Sequence, residues 1–131
     1  MADRIKVLLV EPLKTPRVIE VEHTLRNLQK LVGGLIQTYY PYHDPVVMVC
    51  DDEGKLNGKE PNRALLDEDG TLYDIICGTF FLCGIGDDDF ASIPDEMAEK
   101  YAEVYKCPEV FFHKDGNLYW GKLADKPTRI G

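Results

Sequence analysis

Between Tyr73 and Gly84 the chain reads YDIICGTFFLCG, a run dense in isoleucine, phenylalanine and leucine. It is far short of the roughly 20 apolar residues that span a bilayer, and so is every other apolar run in the chain. Its β-branched and aromatic content marks it as a strand. Gly78 at its middle predicts a bulge or a close backbone approach. Ile5–Val10, closed by Pro12, is a second such run, with the unbroken apolar pattern of a strand buried on both faces.

The rest of the chain supplies elements to assemble around these strands. Arg17–Glu22 reads as a strand, and Pro12-Leu13-Lys14-Thr15-Pro16 predicts a hairpin-like connection to it. Leu25, Leu28, Leu31 and Val32 lie on one face of a helix that begins near His23 or Thr24. Gly33-Gly34 predicts its stop, although a glycine pair also lets a ligand approach the backbone. Leu35–Tyr40 and Val46–Cys50 read as strands, the second opened by Pro45 and turned over at Asp51–Gly54, with a brief return at Lys55–Gly58. Ser92-Ile93-Pro94-Asp95 predicts a second helix capped by Ser92, burying Met97, Tyr101, Val104 and Tyr105. Val110–His113 and Asn117–Trp120 form a hairpin through Lys114-Asp115-Gly116.

With neither repeats nor linkers, these elements predict one α+β domain over residues 1–124. Its sheet is largely antiparallel, with five to seven strands and two amphipathic helices. Residues 125–131 read as a loose tail.

The formal charge of −8 argues against direct nucleic-acid binding and against an anionic membrane. Its acid falls in triplets, Asp51-Asp52-Glu53, Asp67-Glu68-Asp69 and Asp87-Asp88-Asp89, each beside a turn signal. These read as solvated turns, or more sharply as a divalent-cation site or a DNA-like surface. Gly54 and Gly70 follow unbroken triplets, so the alternating ligands of an EF-hand are missing and no metal residues are assigned. Cys50, Cys77, Cys83 and Cys107 contain no Cys-x-x-Cys pair and read as reduced thiols of a cytoplasmic protein. The first residues do not form a signal peptide.

The candidate binding residues lie mostly in one loop: Glu53, Gly54, Lys55, Asn57, Gly58, Asn62 and Arg63, with Gly33 and Gly34 from the helix stop. Arginine offers a rigid fork of donors for phosphate or carboxylate, and asparagine reads an amide edge. The glycines form neither a Walker loop nor a dinucleotide fingerprint. Tyr39, Tyr40, Tyr42 and His43 either stack on a flat ligand or cover an edge of the core. Neither a nucleophile–base pair nor a cofactor motif stands out, so no catalytic residues and no cofactor are assigned.

Several of these segments carry a resemblance: Leu28-Gln29-Lys30-Leu31-Val32-Gly33-Gly34, Asp52–Leu56 with Pro61-Asn62-Arg63-Ala64, Asp74–Thr79 and Asp89–Ile93. Over most of residues 4–105 the chain resembles an uncharacterised family of small domains from phages, plasmids and other mobile elements of Gram-positive bacteria. The resemblance implies context, and it carries over no catalytic residues. The expectation is a non-enzymatic accessory protein that binds a small anionic ligand, such as a nucleotide signal, or a peptide through residues 53–63. The alternatives are an acidic interaction module or DNA mimic that inhibits a host protein, and a hydrolase or transferase using Asp52 or Glu53.

Overall fold

Three apolar runs become the middle of one sheet. In the computed structural model, which describes residues 3–66, 69–122 and 128–130, these are β1 (Arg4–Val10), β4 (Val46–Asp51) and β7 (Phe80–Ile85). They lie side by side, flanked by β2 (Arg17–Glu22) and β3 (Ile36–Tyr39), in the order β2-β1-β7-β4-β3. A short β8 (Phe90–Ala91) pairs with the end of β7, and every pairing is antiparallel. This is the α+β, antiparallel architecture that the sequence predicts.

Side chains alternate across the central strands. Val7, Leu9, Val47, Val49, Phe81 and Cys83 face Leu28 and Val32 of helix α1 (Leu25–Val32). Leu8, Val10, Val46, Met48, Phe80 and Leu82 face the other way, toward Ala98 and Tyr101 of helix α2 (Asp95–Val104) and Tyr105 beyond it. Because both faces are covered, antiparallel strands here carry the continuous apolar pattern more usual in parallel sheets. Among the described residues no helix is long and apolar enough to cross a membrane.

α1 starts and stops where its sequence predicts. Thr24 Oγ1 accepts the Asn27 amide at 3.2 Å, and Gly33 takes the left-handed conformation with its amide on Gln29 O. α2 differs at its start: Pro94 occupies the cap position with no side-chain bond. Ser92 instead accepts the Lys6 amide at 2.9 Å, fastening the strand that precedes the helix onto β1. Its buried face is Ala98, Tyr101 and Tyr105, whereas Val104 is exposed.

The Tyr73–Gly84 run divides at Gly78, whose φ of 84° ends one strand and redirects the chain into another sheet. Its first half is β6 (Leu72–Cys77), which pairs with β5 (Pro61–Leu66) in a two-stranded sheet packed over the α2 side of the core. Sequence reading assigns Asn62 and Arg63 to the binding loop and places no strand over Pro61–Leu66. Both are buried within the strand, with all their polar groups engaged.

The C-terminal sheet consists of β9 (Glu109–Lys114), β10 (Asn117–Lys122) and β11 (Thr128–Ile130), in the order β11-β10-β9. Asp115 and Gly116 both have positive φ, as a type I′ hairpin turn requires. Thr128–Ile130 pairs with β10 where a loose tail is expected, giving that strand a partner on its second edge. Residues 125–127 and 131 of the tail lie outside the described residues.

Candidate functional site

The turn from Asp51 to Glu60 is built on one ion pair, between a buried Asp51 and a partly exposed Lys59. Asp51, 6% exposed, meets Lys59 Nζ at 2.5 Å and accepts the Glu53 amide at 3.1 Å and Asn57 Nδ2 at 3.4 Å. Burial opposes its charge, but these donors outweigh it and hold the carboxyl below the usual aspartate range. The same Lys59 ammonium donates to Val32 O at 2.7 Å and Gly33 O at 3.0 Å. It therefore closes the C-terminus of α1, where unpaired carbonyls favour a cation.

This arrangement uses up the glycine pair. A Cβ on Gly34 would sit 2.5 Å from Asp51 Oδ1, and one on Gly33 would sit 2.8 Å from Lys59 Nζ. Gly33 and Gly34 allow the turn to dock against α1; they do not open a path for a ligand. Gly54 has the same role on the other side, where a Cβ would meet Cys77 O at 2.5 Å. Gly58 is different: it has open space around it and a φ of 71°, so it serves the turn alone.

Asn62 and Arg63, the expected recognition pair, face into the protein. Asn62 Nδ2 donates to Val10 O and Gly78 O, both at 2.9 Å. Arg63, 0% exposed, donates to Tyr105 O, Lys14 O, Asn62 O and Asn62 Oδ1. Glu109 Oε2 lies 3.8 Å from Arg63 Nε, while Glu109 Oε1 accepts the Ala64 amide. Burial pushes the Glu109 carboxyl above its ordinary value, against the Ala64 bond and the Arg63 charge. The planar fork that suits a phosphate here joins β5, the β1–β2 turn, the end of α2 and β9.

What remains open is a cavity of about 250 Å³ between the 51–56 turn, β3 and β6. Glu53 and Lys55 line it, joined by Asp52, Tyr39, Cys50, Asp74 and Cys77. Asp74 organises the wall, because its carboxylate takes the Lys55 ammonium, the Tyr39 hydroxyl at 3.3 Å and the Ile75 amide at 2.7 Å. Asp52 and Glu53 are exposed, with no side-chain partner among the described residues.

The local field is negative. Tyr39 is pushed up to about 12 by burial and then by Asp74. Cys50 is pushed up to about 11 by burial and then by Asp74, Asp51 and Asp52. Both hold their protons at neutral pH, so neither is an activated nucleophile.

Sequence reasoning missed Asp74, which looks like a lone charge in an apolar strand, and Lys59, which looks like one more surface lysine. An aspartate interrupting the longest β run was the available signal. The tyrosines divide. Tyr42 bonds the Tyr105 hydroxyl and packs on Tyr101, covering the core, while Tyr40 is exposed and only Tyr39 reaches the cavity.

The chain belongs to the DUF3846 family, a domain of unknown function whose model matches residues 5–106. That span holds the main sheet apart from Arg4, the first residue of β1, and every residue named around the cavity, and it ends before β9. No curated protein and no solved structure matches the chain.

Proposed function

We propose that the chain is a non-enzymatic binding protein that holds a small ligand, through a cationic or N–H-rich head, in the cavity beside the 51–56 turn. One observation carries the reading: three carboxylates, Asp52, Glu53 and Asp74, face a cavity whose only ammonium among the described residues, Lys55, is already paired with Asp74. The sequence-based expectation of an anionic ligand leaned on the Arg63 fork. With that fork engaged in the core, the polarity of the accessible groups favours a cation.

Lys55 itself supports the reading. Its alkylammonium sits where a ligand's would, against Asp74 and near the Tyr39 hydroxyl. The Lys55 side chain is 59% exposed, so exchanging this pair for another cation costs about 0–1 kcal/mol. The floor below is fixed by the Asp51–Lys59 pair, so the carboxylates are presented on a rigid base. As a phage or mobile-element accessory protein in a bacterial cytoplasm, the chain would sequester its ligand without turning it over.

Native mass spectrometry of freshly purified protein, followed by amide chemical-shift mapping with methylammonium, guanidinium and AMP, tests the reading. Shifts at Glu53, Lys55 and Asp74 with the cations, lost in Asp74→Asn, are expected. Binding of AMP at Lys55, with no response to either cation, would overturn it and restore the anionic ligand.

A further inference from the structure

A second cavity, of about 510 Å³, lies between β6 and the C-terminal sheet. Unlike the first it is walled mostly by apolar and aromatic side chains: Leu72, Tyr73, Ile75, Phe111 and Leu118. Tyr73 is 61% exposed, and Phe111, on the same sheet face as His113 and Leu118, lines the groove with it, while Phe112 turns to the opposite face. Phe111 lies beside Trp120, its cross-strand neighbour on that face. Tyr73 is held edge-on by Tyr39 at 6.5 Å. These are buttressed surfaces, of the kind that form the apolar part of small-molecule sites.

The two cavities share a wall. Lys55, Asp74, Ile75 and Cys77 line both, and the Lys55–Asp74 pair stands at the junction. A ligand ammonium that replaced Lys55 at Asp74 would free the lysine to swing toward solvent and would open one space into the other.

We propose that the polar cavity and the aromatic groove form a single site for an arylalkylamine: a cationic head at Asp74, Asp52 and Glu53, and a flat apolar body between Tyr73 and Phe111. This rests on the binding reading above and deepens it by naming the rest of the ligand. The charge sign follows from the head cavity, since Lys55 is the group a cation displaces and three carboxylates remain to receive it. Asp74 and Tyr73 point to opposite faces of β6, and the head reaches the ring groove around the edge of that strand, where Lys55 lines both cavities. Aromatic faces beside carboxylates suit an ammonium doubly, through the ion pair and through the ring quadrupole.

Calorimetric titration of the full chain with phenethylamine, methylamine and phenylacetate separates the two claims. Phenethylamine is expected to bind at least about tenfold more tightly than methylamine, the gain of burying its ring. Phe111→Ser should remove that gain and leave methylamine unaffected. Asp74→Asn should weaken both amines.

Equal binding of the two amines would overturn the joined site and leave the polar cavity standing. Tighter binding of phenylacetate than of phenethylamine, or no response to either amine, would overturn both. Near-ultraviolet circular dichroism of each variant shows that a lost response is not lost folding.

Discussion

Replacing Arg63 by methionine keeps most of its length and removes every donor, so it isolates what the guanidinium does. In the folded protein that group satisfies the carbonyls of Tyr105, Lys14 and Asn62 and faces Glu109, itself 6% exposed. Breaking a buried pair from one side costs about 3–5 kcal/mol, and each buried acceptor left unpaired adds about 1–3 kcal/mol, though not additively. The expected loss is about 4–6 kcal/mol, a large part of the roughly 5–15 kcal/mol that holds a domain of this size folded. With a urea dependence of about 1–3 kcal/mol per molar, the unfolding midpoint should fall by roughly 1–6 M. Arg63→Lys should recover part of this, since one ammonium reaches some carbonyls but cannot reproduce the fork. Pairing Arg63→Met with Glu109→Gln should cost less than Arg63→Met alone, because no uncompensated charge is left buried. A ligand-contacting arginine predicts the opposite pattern: a stable variant that has lost only binding. If Arg63→Met unfolds within about 0.5 kcal/mol of the wild type, as a surface substitution would, Arg63 has no structural role in the core.

The other predictions concern the turn. Lys59→Met removes the cation shared by Asp51 and the end of α1. It should cost about 2–4 kcal/mol and speed hydrogen exchange of amides in the last turn of α1. Gly34→Ala should destabilise by about 1–3 kcal/mol through its clash with Asp51, whereas Gly58→Asn should be nearly neutral because asparagine tolerates the left-handed region; thermal melts compare the two. Asp51 titrates below its ordinary value in the folded state. Its stabilisation is therefore present above the unfolded value of about 3.9 and is lost as pH falls through the folded value. The stability difference between wild type and Asp51→Asn should accordingly shrink below about pH 4, measured by urea unfolding at successive pH values. Glu109 runs the other way: its raised folded value gives a contribution that is lost as pH rises, so Glu109→Gln should flatten that part of the profile.

How far the sequence could be read depends on where each signal is stored. Thr24, Leu28, Val32 and Gly33 specify α1 locally, through a cap, a stripe and a left-handed stop, and all four do in the structure what their spacing predicts. Asp115-Gly116 specifies its hairpin in the same way. Arg63 was misread because nothing local distinguishes a buried arginine from an exposed one. Its partners lie 42 and 49 residues away at Tyr105 and Lys14, and only the folded chain brings them together. Asn62 was misread for the same reason, as its acceptors belong to β1 and to the Gly78 bend. A long-range polar network looks, in sequence, like a polar loop. Within the proposed site, Glu53 and Lys55 were legible because a turn must expose them, while Asp74 was hidden inside a strand.

The misreading of Arg63 still points to the site, though from behind it. The family model ends at residue 106, before the strands that carry Phe111, Phe112 and Leu118. The polar cavity is thus built within the matched span, and the far wall of the aromatic groove is built outside it. What fastens that wall to the rest is Glu109, which accepts the Ala64 amide and faces Arg63 across 3.8 Å. Removing Arg63 should therefore loosen the C-terminal sheet before it disturbs the Asp51–Lys59 turn. In a variant mild enough to remain folded, such as Arg63→Lys, methylamine binding should survive while the advantage of phenethylamine declines. An arginine in contact with the ligand could not separate head from body in that way, because it would act on whichever group it touched.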